Sequence, residues 1–256
     1  MNKIDLYWDD TEVLPDRIRP DVEFLLNRMN RATLEVVASQ PGEVILDVGC
    51  GRAIDAVNVS KSGAMVIGLD PSQVMLSHAR EWVKRDGHNT TLLRAIGECM
   101  PISPGSVDKV VCKGALDHFA DPEKAIQQMA AVVKPGGSVI IAIANFESLG
   151  FKIGKIIFGV RKLLRIKNPY KRLPWELPPD HTIKFDHKVI LKAAGAHLKI
   201  ERVMGVSVLC CTPGWGDMLA RLPKRISGFI LTWLDRVAIS KPEISDVVIL
   251  VGKPVR

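Results

Sequence analysis

Two aspartates and two glycines carry the first chemistry in this chain. The run Val44-Ile45-Leu46-Asp47-Val48 enters Gly49-Cys50-Gly51, and a second apolar run, Ala64-Met65-Val66-Ile67-Gly68-Leu69, ends on Asp70. Glycines, having no Cβ, let a backbone turn tightly and approach a ligand. An acid closing the second run stands where a carboxylate accepts hydrogen bonds from the two hydroxyls of a ribose. Strand, glycine turn, helix, strand and terminal acid together predict a nucleotide-type half-site in a parallel sheet.

Two histidines are candidates for proton transfer. His118 follows the apolar run 107–112 and so stands at the carboxyl edge of a strand, where ligands bind in such sheets. Its imidazole is the first candidate for a general base, with helix entry or cofactor packing as the plainer role. His181, in Pro179-Asp180-His181-Thr182, is the second, with packing as its alternative. A dinucleotide fingerprint needs Gly-x-Gly-x-x-Gly, and Ile54 stands where its last glycine belongs, which weighs against NAD. There is no Gly-x-Ser-x-Gly elbow, no His-Glu-x-x-His and no clustered Cys/His spacing, so neither a hydrolase triad nor a metal is expected.

The elements that must hold these residues alternate. Helices are predicted over 21–39 (opened by Asp21), 52–59, 71–84 and 121–133, the last capped by Asp121. Strands are predicted over 44–48, 64–69, 91–96, 107–112 and 138–144, with Lys134-Pro135-Gly136-Gly137 as the turn before the fifth. A short helix over 186–194 and strands over 197–203 and 246–251 complete the pattern. The fold class is therefore α/β, a Rossmann-like, mostly parallel sheet with an antiparallel strand near the C-terminus and helices on both faces. One domain over 1–256 is expected: an N-terminal lid and helix (1–39, with Tyr7 and Trp8 able to close over the cleft), a core (40–145) and two inserts or lids (146–180 and 205–242).

Charge is unevenly placed within the net +7. Residues 1–145 hold 15 basic and 19 acidic groups, residues 146–256 hold 20 and 9, so the halves carry −4 and +11. Residues 149–172 contain eight Lys or Arg and no acid, interleaved with Phe151, Ile153, Ile156, Phe158 and Leu163. In 217–239, Met218, Leu222, Ile226, Phe229, Ile230, Trp233 and Val237 form one apolar stripe. These inserts read either as a lid or homodimer interface, or as contact with a membrane surface. So much Ile, Phe and Leu between the cations argues against nucleic acid. Five cysteines without a disulfide framework, and no signal peptide or spanning run, lead us to expect a cytoplasmic chain, with or without membrane-surface association.

In its motifs the chain resembles the class I S-adenosylmethionine-dependent methyltransferases, specifically the branch acting on small molecules and lipid-like quinones. Val44 to Gly51 resembles that family's first motif, with Ala53 in place of a final glycine. Asp70-Pro71-Ser72 resembles its ribose-binding acid and helix start, with Met75 as an apolar contact. Gly97-Glu98-Cys99-Met100-Pro101 resembles a shortened form of its adenine-binding motif. Val107 to Phe119 resembles its fourth-strand motif, and Lys134-Pro135-Gly136-Gly137 its turn before strand five. The resemblance implies S-adenosylmethionine as cofactor and S-adenosylhomocysteine as product. It implies cofactor contacts at Asp47, Gly49, Cys50, Gly51, Asp70, Pro71, Met75, Glu98, Cys99 and Lys113. A small or lipid-like acceptor follows from it; the rival readings are a non-catalytic cofactor-binding or assembly protein and an RNA methyltransferase. The lack of an Asn-Pro-Pro-Tyr-like motif at Lys113-Gly114-Ala115-Leu116 argues against methylation of a base amino group.

Overall fold

The computed structural model describes residues 5–10, 18–86, 89–167 and 172–255. Seven strands form one sheet in the order β3-β2-β1-β4-β5-β7-β6. They are β1 (Val44–Val48), β2 (Met65–Asp70), β3 (Thr90–Arg94), β4 (Val107–Lys113), β5 (Val133–Ala144), β6 (Leu198–Val206) and β7 (Val247–Pro254). Neighbours pair in parallel from β3 to β5, while β7 lies antiparallel between β5 and β6. The expected antiparallel strand is therefore β7.

Alternating strand residues separate the two faces. Leu46, Val110, Ile141 and Leu250 pack with helices α4 (Pro122–Val132) and α6 (His187–Gly195). Ile45, Val111, Ile140 and Ile249 pack with α1 (Pro20–Val37) and α2 (Ile54–Ser60). Burial on both faces is why these strands read as continuous apolar runs. Helix α3 (Gln73–Asp86) follows β2. Chain order runs outward from β1 in one direction and from β4 in the other, so the loops leaving these strands diverge and open a crevice.

Three local expectations change. Lys134-Pro135-Gly136-Gly137 is not a turn before β5 but a bulge inside it: Val107 pairs with Val133, then Lys109 with Ser138. Gly136 takes φ +84°, and a Cβ on Gly137 would sit 2.3 Å from the Asp108 carbonyl oxygen. Asp21 does not cap α1; the helix begins one residue earlier, at Pro20, and the Asp21 carboxylate is buried, accepting from Cys211 N–H at 3.1 Å. The third strand begins at Thr90 and ends at Arg94 rather than running to Ile96.

The 205–242 segment holds α7 (Trp215–Ala220) and α8 (Lys224–Ser240), divided at Pro223, which precedes the first residue of α8. Yet α8 faces the sheet with Ser227, Leu231, Asp235 and Ala238. The predicted apolar stripe lies largely off the sheet: Phe229 is 73% and Trp233 56% exposed, while Leu222, Ile230 and Val237 are half-buried. A buried polar contact sets this rotation. Asp235 accepts from Arg28 Nε at 2.7 Å and from Ser207 N–H at 3.0 Å. Gly205 lets α8 come close, since a Cβ there would lie 2.3 Å from the Ala238 carbonyl. In helix α5 (Leu149–Leu163) Ile156, Val160 and Leu163 are likewise exposed, so these apolar faces do not cover each other as a lid.

Asp235→Ala would leave Arg28 with only the partly exposed Glu35, 3.3 Å away, and Ser207 N–H without its acceptor, so it should destabilise the protein by about 1–3 kcal/mol. Phe229→Ser should change stability by less than about 0.5 kcal/mol. Urea denaturation of both variants checks this; the reverse ranking would mean that the apolar stripe, not the ion pair, holds α8.

Candidate active site

Where β1 and β4 diverge, a cleft of about 760 Å³ opens above the carboxyl ends of the strands. Its floor is the glycine turn. Gly49 and Gly51 take φ +73° and +53°, and a Cβ on Gly49 would lie 2.3 Å from the Ala115 Cβ. Gly49 and Cys50 donate their N–H groups to the Leu69 carbonyl at 2.7 and 3.0 Å, stitching the turn to the end of β2. Asp70 accepts from Gly51 N–H at 2.9 Å and from Ser72 N–H at 2.8 Å. Each carboxylate oxygen thereby takes one backbone bond and keeps a lone pair for a second donor. Ala53, where the motif departs from glycine, sits fully buried at φ +58° and opens α2. A left-handed alanine costs about 1–2 kcal/mol, which the surrounding packing offsets.

Carboxylates dominate this side. Asp47 and Asp70 end β1 and β2, and Asp55 and Glu98 also line the cleft. Burial, then repulsion from Asp55, pushes the Asp47 pKa up to about 7, against the opposing pull of Lys113. Burial likewise raises Asp70, its two backbone hydrogen bonds working the other way. Lys113 is bonded to Asp55 and Asn30, and Arg52 is clamped by Asp10 at 2.5–2.8 Å. Glu98 is buried and accepts from Asp121 N–H at 3.2 Å, tying it to the start of α4. Cys50, Pro71 and Met75 also line the cleft; Cys99 does not, and is exposed.

The opposite wall comes from distant parts of the chain. Trp8, His118, Phe119, Leu177, Pro179, Asp180, His181 and Thr182 converge there. Thr182 fixes the 177–182 connector to the short 3-10 turn Leu116–His118, donating its N–H to the Asp117 carbonyl at 2.7 Å and its hydroxyl to the Phe119 carbonyl at 2.6 Å. That attachment brings the two candidate histidines together, ring centroids 4.4 Å apart. Trp8 donates from Nε1 to Asp180 at 3.1 Å and lies 5.1 Å from the His118 ring.

Sequence reasoning missed Asp117, which its neighbour His118 overshadowed. Its side chain is 5% exposed, and Oδ2 lies 3.1 Å from His181 Nδ1. Burial lowers the pKa of His181 below the ordinary imidazole value, with Asp117 opposing and His118 adding to the fall. His118 Nδ1 lies 3.2 Å from the Asp180 carbonyl oxygen. Among the described residues, Asp117, His118 and His181 are also the group whose potential ligand atoms lie within 4.8 Å of one another.

Residues 45–137 match the family described as a methyltransferase domain. The chain has the class I S-adenosylmethionine-dependent methyltransferase fold. It is homologous to ubiquinone biosynthesis O-methyltransferases: that of Vibrio parahaemolyticus is 36% identical over 126 residues, 49% of this chain and 53% of that protein. The chain thus matches about half the length of its curated relatives. A chain of the Haloferax volcanii complex of the Trm112 methyltransferase activator with a methyltransferase superposes with TM-score 0.60 at 19% identity, covering 92% of this chain and 94% of that one. The 4+2 cyclase SpnF superposes with TM-score 0.59 at 18% identity, covering 90% and 81%. Both show the shared fold.

S-adenosylmethionine is the cofactor of this class, and the residues present fit it. A cleft rich in buried carboxylates suits a ligand that brings a sulfonium and an ammonium, and Asp70 keeps lone pairs for a diol.

In the unfolded chain Asp47 titrates near the ordinary value of 3.8, against about 7 in the fold. Between those values the folded protein binds the extra proton, so this residue makes stability fall as pH rises from about 4 to 7. Asp47→Asn should flatten that part of the stability profile, raise unliganded stability at pH 8 and weaken S-adenosylmethionine binding. Thermal melts across pH, with calorimetry, check it; an unchanged profile would mean that Asp47 is already ionised and paired.

Proposed function

We propose that this protein transfers the methyl group of S-adenosylmethionine to an oxygen of a small, apolar acceptor. The observation that carries this reading is the Asp117–His181 contact, 3.1 Å long, on the wall facing the carboxylate-lined floor. The bound cofactor supplies an electrophilic methyl carbon on a positively charged sulfur. The chain's task is to hold nucleophile, carbon and sulfur in line and to take the acceptor's proton.

On the cofactor side, Asp70 would receive the ribose hydroxyls and Glu98 the adenine amino group. Met75 and Pro71 would supply apolar contacts, and Gly49, Gly51 and Asp47 would hold the amino-acid end. On the acceptor side, the Asp117 carboxylate, with Oδ2 3.1 Å from His181 Nδ1, favours the proton on that nitrogen by its charge, without a well-aligned hydrogen bond. Nε2 is then left with a lone pair for a hydroxyl proton. The half-buried setting keeps the imidazole neutral near pH 7. Once protonated, it is stabilised by the Asp117 charge. His118 and Trp8 form an aromatic wall, and Leu177, Pro179 and Phe119 favour an apolar acceptor. The O-methyltransferase activity for which the relatives are named and the outward apolar faces of α5 and α8 support the same reading.

A second reading has its own observation. Asp117, His118 and His181 have the donor types and spacing to hold a divalent cation, which would bind the acceptor oxygen directly. Dialysis against EDTA separates the two. Turnover should survive it; loss restored by added Mg²⁺ or Zn²⁺ would replace the proton-relay reading.

The direct test incubates purified protein with cell extract and isotopically labelled S-adenosylmethionine, then identifies the labelled product by mass. A labelled small hydroxyl compound is expected; a labelled RNA, or no product despite cofactor binding, would overturn the proposal. Losing charge-assisted hydrogen bonds, Asp70→Ala should weaken cofactor binding roughly 10- to 100-fold. His181→Gln should retain binding and lower kcat by about 10²-fold or more. The acidic limb of kcat should lie below the ordinary imidazole pKa of 6.5. Asp117→Asn, removing a charge that raises His181, should move that limb to still lower pH.

A further inference from the structure

The loop after β6 holds two adjacent thiols that methyl transfer does not use. In extended backbone, neighbouring side chains point to opposite sides. Here Ser207, Leu209 and Cys211 all have φ between +58° and +73°, and this left-handed path brings Cys210 and Cys211 Sγ to 3.5 Å. Cys210 is buried and Cys211 exposed. Two buried carboxylates hold the loop, Asp246 accepting from Cys210 N–H at 2.9 Å and Asp21 from Cys211 N–H at 3.1 Å.

We propose that Cys210 and Cys211 form a reversible thiol–disulfide site for low-molecular-weight disulfides, and that its oxidation moves the acceptor wall of the cleft. In the first step the Cys211 thiolate attacks one sulfur of the small disulfide. That S–S bond breaks, and one small thiol leaves with the electron pair and takes a proton. Cys210 then loses its proton and attacks Cys211 Sγ, expelling the second small thiol. Two protein thiols are oxidised and one disulfide is reduced to two thiols. Hydrogen bonding to Cys211, burial and the nearby carboxylates hold the Cys210 thiol well above its ordinary pKa, so the second step is the slow one. Adjacent Cα atoms stand about 3.8 Å apart across a trans peptide, less than the roughly 4.4–6.8 Å of ordinary disulfides. The product is therefore strained and readily reduced, suited to response rather than to stapling.

The coupling follows the contacts. Closing the sulfurs from 3.5 Å to about 2.05 Å must shift the 207–212 backbone. The first turn of α5 rests on that backbone: a Cβ on Gly150 would meet Thr212 Oγ1, the Cys210 carbonyl and Leu209 Cα at 2.7–3.1 Å. One turn on, Gly154 packs against the Trp175 ring so closely that a Cβ would lie 2.3 Å from it. Trp175 begins the connector that carries Asp180 and His181 into the cleft.

The test treats the full chain with oxidised glutathione, maps peptides by mass and follows hydrogen exchange over 173–181. The expected result is a Cys210–Cys211 cross-link, two hydrogens lighter, reversed by dithiothreitol, with altered exchange over 173–181. Cys211→Ser should show neither, and Cys210→Ser should stop at a glutathione adduct on Cys211. A lasting adduct on wild-type Cys211 without the cross-link would overturn the site. A cross-link with unchanged exchange would overturn the coupling. Neither readout requires methyl transfer, so a failure here is separate from a failure of the proposed activity.

Discussion

The fold concentrates negative charge where it can least afford to leave it uncompensated. Asp47 and Asp70 end adjacent strands of a parallel sheet, with Asp55 and Glu98 nearby, in a cleft whose cations are already engaged by Asp55, Asn30 and Asp10. Moving a carboxylate out of water is unfavourable without a partner, and the raised pKa values of Asp47 and Asp70 express that penalty. The glycine turn makes the arrangement possible. Only without a Cβ at Gly49 can the chain pass Ala115 closely enough for Leu69 and Asp70 to take its N–H groups. A cationic ligand is the counterpart this floor lacks.

The opposing wall is built on a different principle. The floor comes from one continuous stretch; the wall is assembled from residues 8, 117–119 and 177–182. Two hydrogen bonds from Thr182 dock the connector onto the turn after β4, and through that docking Asp117 meets His181. The histidine is positioned by tertiary contact, so its chemistry depends on segments whose sequences carry no local signal for one another.

This difference explains what was legible in the sequence. Continuous apolar runs and glycine punctuation mark β1, β2 and β4 wherever they occur, and the acid at the end of β2 is local to its strand. Asp70 and the glycine turn could therefore be named from spacing, and Glu98 from the resemblance of its motif. Asp117 could not: it gains meaning only from His181, sixty-four positions away. The stripe in α8 was legible as an apolar face, but not the direction in which it is turned. Hydrophobic spacing finds a helix's apolar face, but the Arg28–Asp235 contact decides which face meets the sheet. In β5, Pro135-Gly136-Gly137 has the composition of a turn, yet the sheet absorbs it as a bulge because Val133 is already paired with Val107.

The same division accounts for where similarity to other proteins falls. The matched methyltransferase domain, residues 45–137, supplies the floor and the turn bearing Asp117 and His118, and stops before His181 and the two exposed helices. A site for a common cofactor fixes its residues by the ligand's unchanging shape and charge. The wall opposite draws on residues 8 and 177–182 as well as 117–119, so most of it lies outside the matched stretch, and the later part of the chain has its own composition, net +11 over 146–256 against −4 over 1–145. SpnF, a cyclase on the same fold, shows that the scaffold by itself does not dictate the reaction. What the connector presents to the floor in this chain is an imidazole with a buried carboxylate beside it.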